Sequence, residues 1–262
     1  MIRALYTAAS GMNAQQANLD TVANNLANSA TTGFRRRRLQ FEDMIYQNMI
    51  TPGSPATQQT TSAGLQIGLG TRSVATEMIQ TQGDFTETDN PYDIAIQGQG
   101  FFQITRPDGT LAYTRSGNFN LNNQGQIVTA DGDPLLPSIT IPANATDVTI
   151  SQYGVVSATL PGQTNPQQLG TLQLATFANP GGLNSIGGNL FTQTQSSGNV
   201  ITDVPGGTSG VGTLQQHYLE NSNVDVVSEF VQMILAQRAY ESNSKVIHVA
   251  DDMYSQINNM VR

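Results

Sequence analysis

Cysteine is absent from this 262-residue chain, and charge is scarce. With no thiol there is neither a disulfide framework nor a cysteine metal site. Charged residues make up 11%, against roughly 25% in a typical globular protein. Ser, Thr, Asn, Gln and Gly stand in their place. Such a surface solvates adequately but repels its own copies weakly. Lys and Arg total 11 against 19 Asp and Glu, a net charge of −8. That balance excludes a general nucleic-acid binder, which needs clustered cations against phosphate. No stretch approaches 18 apolar residues, so no membrane-spanning helix is expected. "MIRALYTAASG" has one Arg and no continuous apolar run, so no secretory signal peptide is expected. Hydrophobic residues still reach 38%, which favours folding over intrinsic disorder.

Groups that carry chemistry are equally thin. There are two histidines, His217 and His248, and His248 reads as a packing or surface residue. No nucleophile elbow and no Walker loop occur. "GLGTRS" at 68–73 lacks the third glycine and the preceding strand of a dinucleotide fingerprint and reads as a turn. Asp84, Glu87, Asp89 and Asp93 cluster in one turn-rich segment. An acid/base pair or a cation site there competes with a solvated loop. No catalytic, cofactor or metal residue is assigned, and no cofactor is expected.

What is present is periodicity at both ends. Leu5, Met12, Leu19 and Leu26 recur every seven residues, with Val22 filling between them. This is a coiled-coil-like stripe. Asparagines, among them Asn24, Asn25 and Asn28, fall beside or opposite it. Asn is a poor helix former, so this helix, over residues 1 to about 30, should depend on packing partners. Gly33 is a plausible stop. From about 224 to 262, Val227, Val231, Leu235, Val246, Met253, Ile257 and Met260 step by three or four in a longer helix. Its runs of fours resemble stutters, and Ser222 with Asp225 matches a capping box. Either this helix is the core of a larger domain, or the two terminal helices pair in an elongated bundle; the second reading is preferred.

Between the ends, residues from about 70 to 215 read as short strands. Ile94 and Ile96 alternate, "RPDGT" at 106–110, "NNQG" at 122–125 and "ADGDP" at 130–134 are turns, and further strands lie near 148–150, 155–160 and 169–177. The fold class is α+β: paired N- and C-terminal helices with a β-rich central domain. Three parts are expected: a helical domain from 1–33 and 222–262, a connecting segment from 34–90 and 206–221, and a β-rich domain from 91–205. Residues 48–70 carry Pro, Gly, Thr and Gln with little periodicity, and read as an unusually long loop. Arg35, Arg36, Arg37 and Arg38 form the one basic cluster. They read as a hinge whose arginines find carboxylates on a neighbouring molecule.

Three blocks carry a resemblance. "SGMNAQQANLDTVANNLANSATTGFRRRRLQFEDMIYQ", "DIAIQGQGFFQI" with "YTRSGNFNLNNQGQIVTADG", and "SNVDVVSEFVQMILAQRAYESNSKVIHVADDMYSQINNMVR" resemble, in that order, the bacterial flagellar rod and hook family. "GLQIGLGTR" within an extended insert at 46–72 is similar to the distal-rod branch of that family. The resemblance implies a structural subunit of a hollow helical shaft that transmits torque and encloses an export channel. It implies self-association, and contact with proximal rod proteins, the hook protein, peptidoglycan-layer and outer-membrane ring proteins and the flagellar export apparatus. It implies that Pro52, Gly53, Leu65, Ile67 and Gly68 belong to a stiffening insert. The asparagines and arginines would then face neighbouring copies, while the leucine stripe packs within the molecule. Other readings remain open: a proximal-rod or hook-like paralogue, a β-rich wall hydrolase using Glu87 or Asp89, or a binding module on a helical stalk.

Overall fold

A computed structural model describes residues 2–50, 55–56, 59–60, 64–163 and 165–260. The described chain divides into two units. One holds residues 1–27, 37–78 and 225–262; the other holds 28–36 and 79–224. The expected separate connecting segment is therefore split between them.

The first unit is built on two helices, α1 (Ile2–Ala27) and α2 (Val226–Met260). The 35 residues of α2 give a rod of about 52 Å. Its N-cap is Asp225 rather than Ser222. The Asp225 Oδ1 accepts the Val227 N–H at 3.1 Å and its carbonyl accepts the Glu229 N–H. The helix α1 ends at Ala27, six residues before Gly33. Polar residues follow directly, and the Asn28 carbonyl accepts the Thr31 N–H at 3.1 Å, closing a turn in place of further helix.

Of the arginine cluster, Arg37 and Arg38 open a strand, and Arg35 and Arg36 lie in the stretch before it. Arg37–Asp43 pairs antiparallel with Thr71–Met78. Tyr46–Ile50 pairs with Leu65–Gly68, so the described part of the 48–70 segment is a hairpin rather than a bare loop. The alternation in "LQIGL" was the signal for it. The hairpin joins the helical unit near Gly70. At φ +119° that residue leaves no room for a side chain, since a Cβ would stand 2.1 Å from the Ser10 Oγ of α1.

The second unit is antiparallel β. A seven-stranded sheet runs in the order Asn184–Gly187, Leu190–Thr192, Leu111–Thr114, Phe101–Thr105, Leu174–Phe177 and Val200–Asp203, with Leu135–Leu136 also paired to Phe101–Thr105. A three-stranded sheet comprises Asp147–Ile150, Val155–Thr159 and Gln167–Thr171. The predicted strand at 169–177 is thus two strands, broken at Leu172 and Gln173. Shorter pairs join Ile94–Gln97 to Thr213–Gln216 and Phe85–Glu87 to Tyr218–Glu220. The core gathers Ile94, Ile96, Phe102, Ile104, Phe119, Val156 and Leu174. Phe102 and Phe119 meet edge to face at 5.0 Å, the geometry the ring quadrupole favours. The turn at "RPDGT" closes with the Arg106 N–H donating to the Thr110 carbonyl, and Gly109 at φ +79°.

Candidate functional site: the helix pair and its outer face

Two contacts fix how the helices pair. The Asn25 Nδ2 donates to the Glu229 Oε2 at 3.1 Å. Fourteen residues back along α1, Gly11 lies so close to Asn243 that a Cβ would stand 2.8 Å from its Nδ2. Fourteen residues is also the advance along α2 from Glu229 to Asn243. The helices therefore run antiparallel, in one register over four turns.

The seam on α2 is a regular heptad, without the stutters expected. Glu229, Ala236 and Ala250 are buried, Asn243 shares their seven-residue step, Met233 and Ile247 are half-buried between them, and Tyr254 is half-buried beyond Ala250. On α1 the deeply buried positions are Ala8, Ala14, Val22 and Asn25, while Leu5, Met12, Leu19 and Leu26 are only half-buried. Small residues occupy the line of closest approach because they let the backbones come together. This corrects the expected arrangement. The α2 residues singled out for helix packing or assembly lie outside the seam: Val227 is 71% exposed, Leu235 63% and Met260 85%, and Val231, Val246, Met253 and Ile257 are exposed too.

Asn25 was expected to face a neighbouring copy, yet it is 1% exposed and its amide is used inside the chain. Its Oδ1 accepts the Arg37 N–H at 2.9 Å, and its Nδ2 donates to the Arg37 carbonyl at 2.8 Å as well as to Glu229. One side chain thereby ties α1 to the first residue of the Arg37–Asp43 strand and to the first turn of α2. An amide can do this because it both donates and accepts. Sequence reasoning missed Glu229 altogether; its position seven residues before Ala236 was the available signal. Asn24 is exposed and Asn28 is half-buried.

Of the four arginines, Arg35 is buried in the second unit and pairs with Glu220 at 2.7 Å, not with a carboxylate on another molecule. Arg36 is half-buried, and its N–H donates to the Asn223 Oδ1 at 2.7 Å. Arg37 acts through its backbone, as above. Arg38 is exposed and pairs with Glu77 at 2.7 Å across the two paired strands, where Gln40 also donates to Glu77 at 2.9 Å. The hydrogen bond from Arg38, with that from Gln40 second, holds the Glu77 carboxyl below the usual carboxylate range.

In the insert, Leu65, Ile67 and Gly68 lie exposed on the hairpin. Ile45 and Tyr46 beside them are exposed as well. Pro52 and Gly53 lie outside the described residues. In the acidic segment Asp93 is buried and accepts from the Asn90 Nδ2 at 2.8 Å. Among the described residues, no group of three or more His, Asp or Glu could hold a metal.

Chain-wide comparison agrees with this architecture. Residues 5–35 match the family described as flagella basal body rod protein, 95–158 the flagellar hook protein FlgE/F/G D1 domain, and 215–260 the C-terminal region of the flagellar basal body rod FlgEFG proteins. The flagellar basal-body rod protein FlgG of Caulobacter vibrioides is 51% identical over 96% of this chain and 97% of its own. FlgG of Borreliella burgdorferi is 47% identical with both chains covered completely. The chain belongs to the flagellar basal-body rod protein family. FlgG of Bacillus subtilis extends the relation at 38% identity over the full length of both chains. The first and last family matches fall mainly on α1 and α2, so the antiparallel pair joins the two stretches that carry the rod-protein signature.

Proposed function

We propose that the chain is a structural subunit of the distal rod, and that copies polymerise into a rigid, hollow, helical shaft that transmits torque to the hook and encloses the export channel. The observation that carries this reading is the outer face of α2. Val227, Val231 and Leu235 at one end and Val246, Met253, Ile257 and Met260 at the other are exposed, and no single copy covers them. An apolar face of this extent marks an interaction surface. Repetition of a heterologous contact around an axis generates a helical filament. The half-buried stripe Leu5, Met12, Leu19 and Leu26 is completed by the same neighbours.

The full-length similarity to FlgG proteins supports placement in the rod rather than the hook. The insert at 46–72, with its exposed hairpin, supports a role in stiffening by filling space between subunits. On this reading the chain is mechanical rather than catalytic, leaves through the flagellar export apparatus, and meets proximal rod, hook, peptidoglycan-layer and outer-membrane ring proteins. Deleting residues 48–68 tests the stiffening role: filaments lacking them should bend more in electron micrographs, and unchanged bending stiffness would end it. Labelling the chain in isolated basal bodies tests its position. Label confined to the proximal segment or the hook would favour a paralogue of the same family instead.

A further inference from the structure

The second unit buries two guanidinium groups against one carboxylate. The side chains of Arg35, Arg115 and Glu220 are 4%, 3% and 1% exposed. Glu220 Oε1 pairs with Arg35 Nη2 at 2.7 Å, and Oε2 pairs with Arg115 Nε at 2.6 Å. Oε1 also accepts the Gly83 N–H at 3.2 Å, so this carboxylate is heavily used. The Arg115 Nη1 donates to the Gly100 carbonyl, and its Nη2 donates to those of Ile96 and Gly98. Arg35 Nη1 donates to the Thr81 carbonyl, while Arg35 Nε is buried without a hydrogen-bond partner.

The three side chains together carry one net positive charge. Carbonyl dipoles offset part of its desolvation, but a buried cation is favourable only with a counter-charge at hand. Burial lowers the Arg35 pKa against the opposing pull of Glu220, and the Arg115 charge lowers it further. Both arginines line the same cleft of about 280 Å³. Gln80, Gln99 and Thr176 bring polar groups to it, and Phe101 and Phe177 bring apolar surface. Excess positive charge beside aromatic rings fits a ligand with a charged head and a greasy body. A bare inorganic anion would leave the rings unused.

We propose that this cleft binds a carboxylate carrying a short apolar body, whose charge completes the Arg35–Glu220–Arg115 node and whose body rests on Phe101 and Phe177. The carboxylate is supplied either by a small organic acid or by a glutamate side chain on a second copy of the chain. The site uses no residue of α1 or α2 and does not depend on the apolar face of α2.

The probe is propionate, added to the full chain and followed by circular dichroism melting. Chloride and propionamide at matched ionic strength serve as controls. A ligand that binds the folded state raises Tm with concentration. Propionate should raise Tm above chloride, and propionamide should not. Gln99→Glu places a carboxylate in the lining of the cleft without touching the arginines. It should raise Tm in chloride and flatten the response to propionate. Equal melting in propionate and chloride overturns the proposal, as does a propionate response in Gln99→Glu equal to that of the wild type. Sedimentation then identifies the source. Propionate that weakens self-association assigns the carboxylate to a second copy; a Tm rise with unchanged association assigns it to a free acid. This second arm rests on the self-association proposed above. A chain that never self-associates sinks that reading while the melting result stands.

Discussion

Replacing Leu235 by aspartate separates folding from assembly. Full burial of a leucine side chain contributes about 1.5–3 kcal/mol. With 63% of Leu235 exposed in the protomer, roughly 1–2 kcal/mol is left for a neighbouring copy to gain. Leu235→Ala should therefore raise the critical concentration for polymerisation about 5- to 30-fold. Leu235→Asp goes further, because covering it desolvates a charge without a partner, and it should abolish polymerisation at any practical concentration. The protomer itself should barely notice, since a substitution on an exposed helix face outside the seam typically moves stability by about 0.5 kcal/mol. Purified variants would be compared by sedimentation and electron microscopy for polymer and by urea denaturation for stability. Val22→Asp is the contrast: Val22 is 2% exposed, and a charge there should unfold the helix pair. Wild-type polymerisation by Leu235→Asp would refute the claim that the α2 outer face is the assembly surface. Loss of protomer stability comparable to Val22→Asp would refute the placement of the seam.

Three further outcomes follow from the geometry of the first unit. Asn25→Ala should cost about 2–4 kcal/mol in urea denaturation, since it strands both Arg37 backbone groups and removes a donor from buried Glu229; a cost below about 0.5 kcal/mol would show that water replaces the amide freely. Gly70→Ala should destabilise the hairpin base, and adding Ser10→Ala should recover part of that loss, because the hydroxyl meets the new Cβ while the positive φ remains unfavourable. Purely additive effects in that double mutant would rule out the contact. The Glu77 carboxyl is held low by Arg38, so its contribution is present above the ordinary pKa of about 4.3 and is lost as pH falls through the depressed folded value. The stability difference between wild type and Glu77→Gln should hold steady near neutrality and close in acid; a difference that grows in acid would reverse the assigned sign.

The helices, the run of strands and the turn at Arg106–Thr110 were legible in the sequence because each rests on local chemistry: heptad spacing, β alternation, and Pro, Asp and Gly at turn positions. The membership of the two termini in one family was legible for the same reason, since the matching stretches are continuous. The hairpin at 46–68 was hidden by its Pro- and Thr-rich middle, and the strand at 37–43 by its arginines, which mask the alternation of Leu39 and Phe41.

The sequence by itself determined that this protein has two amphipathic ends and a β-rich middle, since period and turn chemistry act over a few residues. Only the tertiary structure decided which face of each helix meets the other. Hydrophobicity says that a residue seeks cover; it does not say whose. Close antiparallel approach selects small and amide side chains, Ala236, Ala250, Gly11 and Asn25, for the inner seam. The larger residues Val227, Leu235 and Met260 are thereby left on the outside. Likewise, Arg35 and Arg115 stand 80 residues apart in the chain, and folding alone brings them to one carboxylate at Glu220.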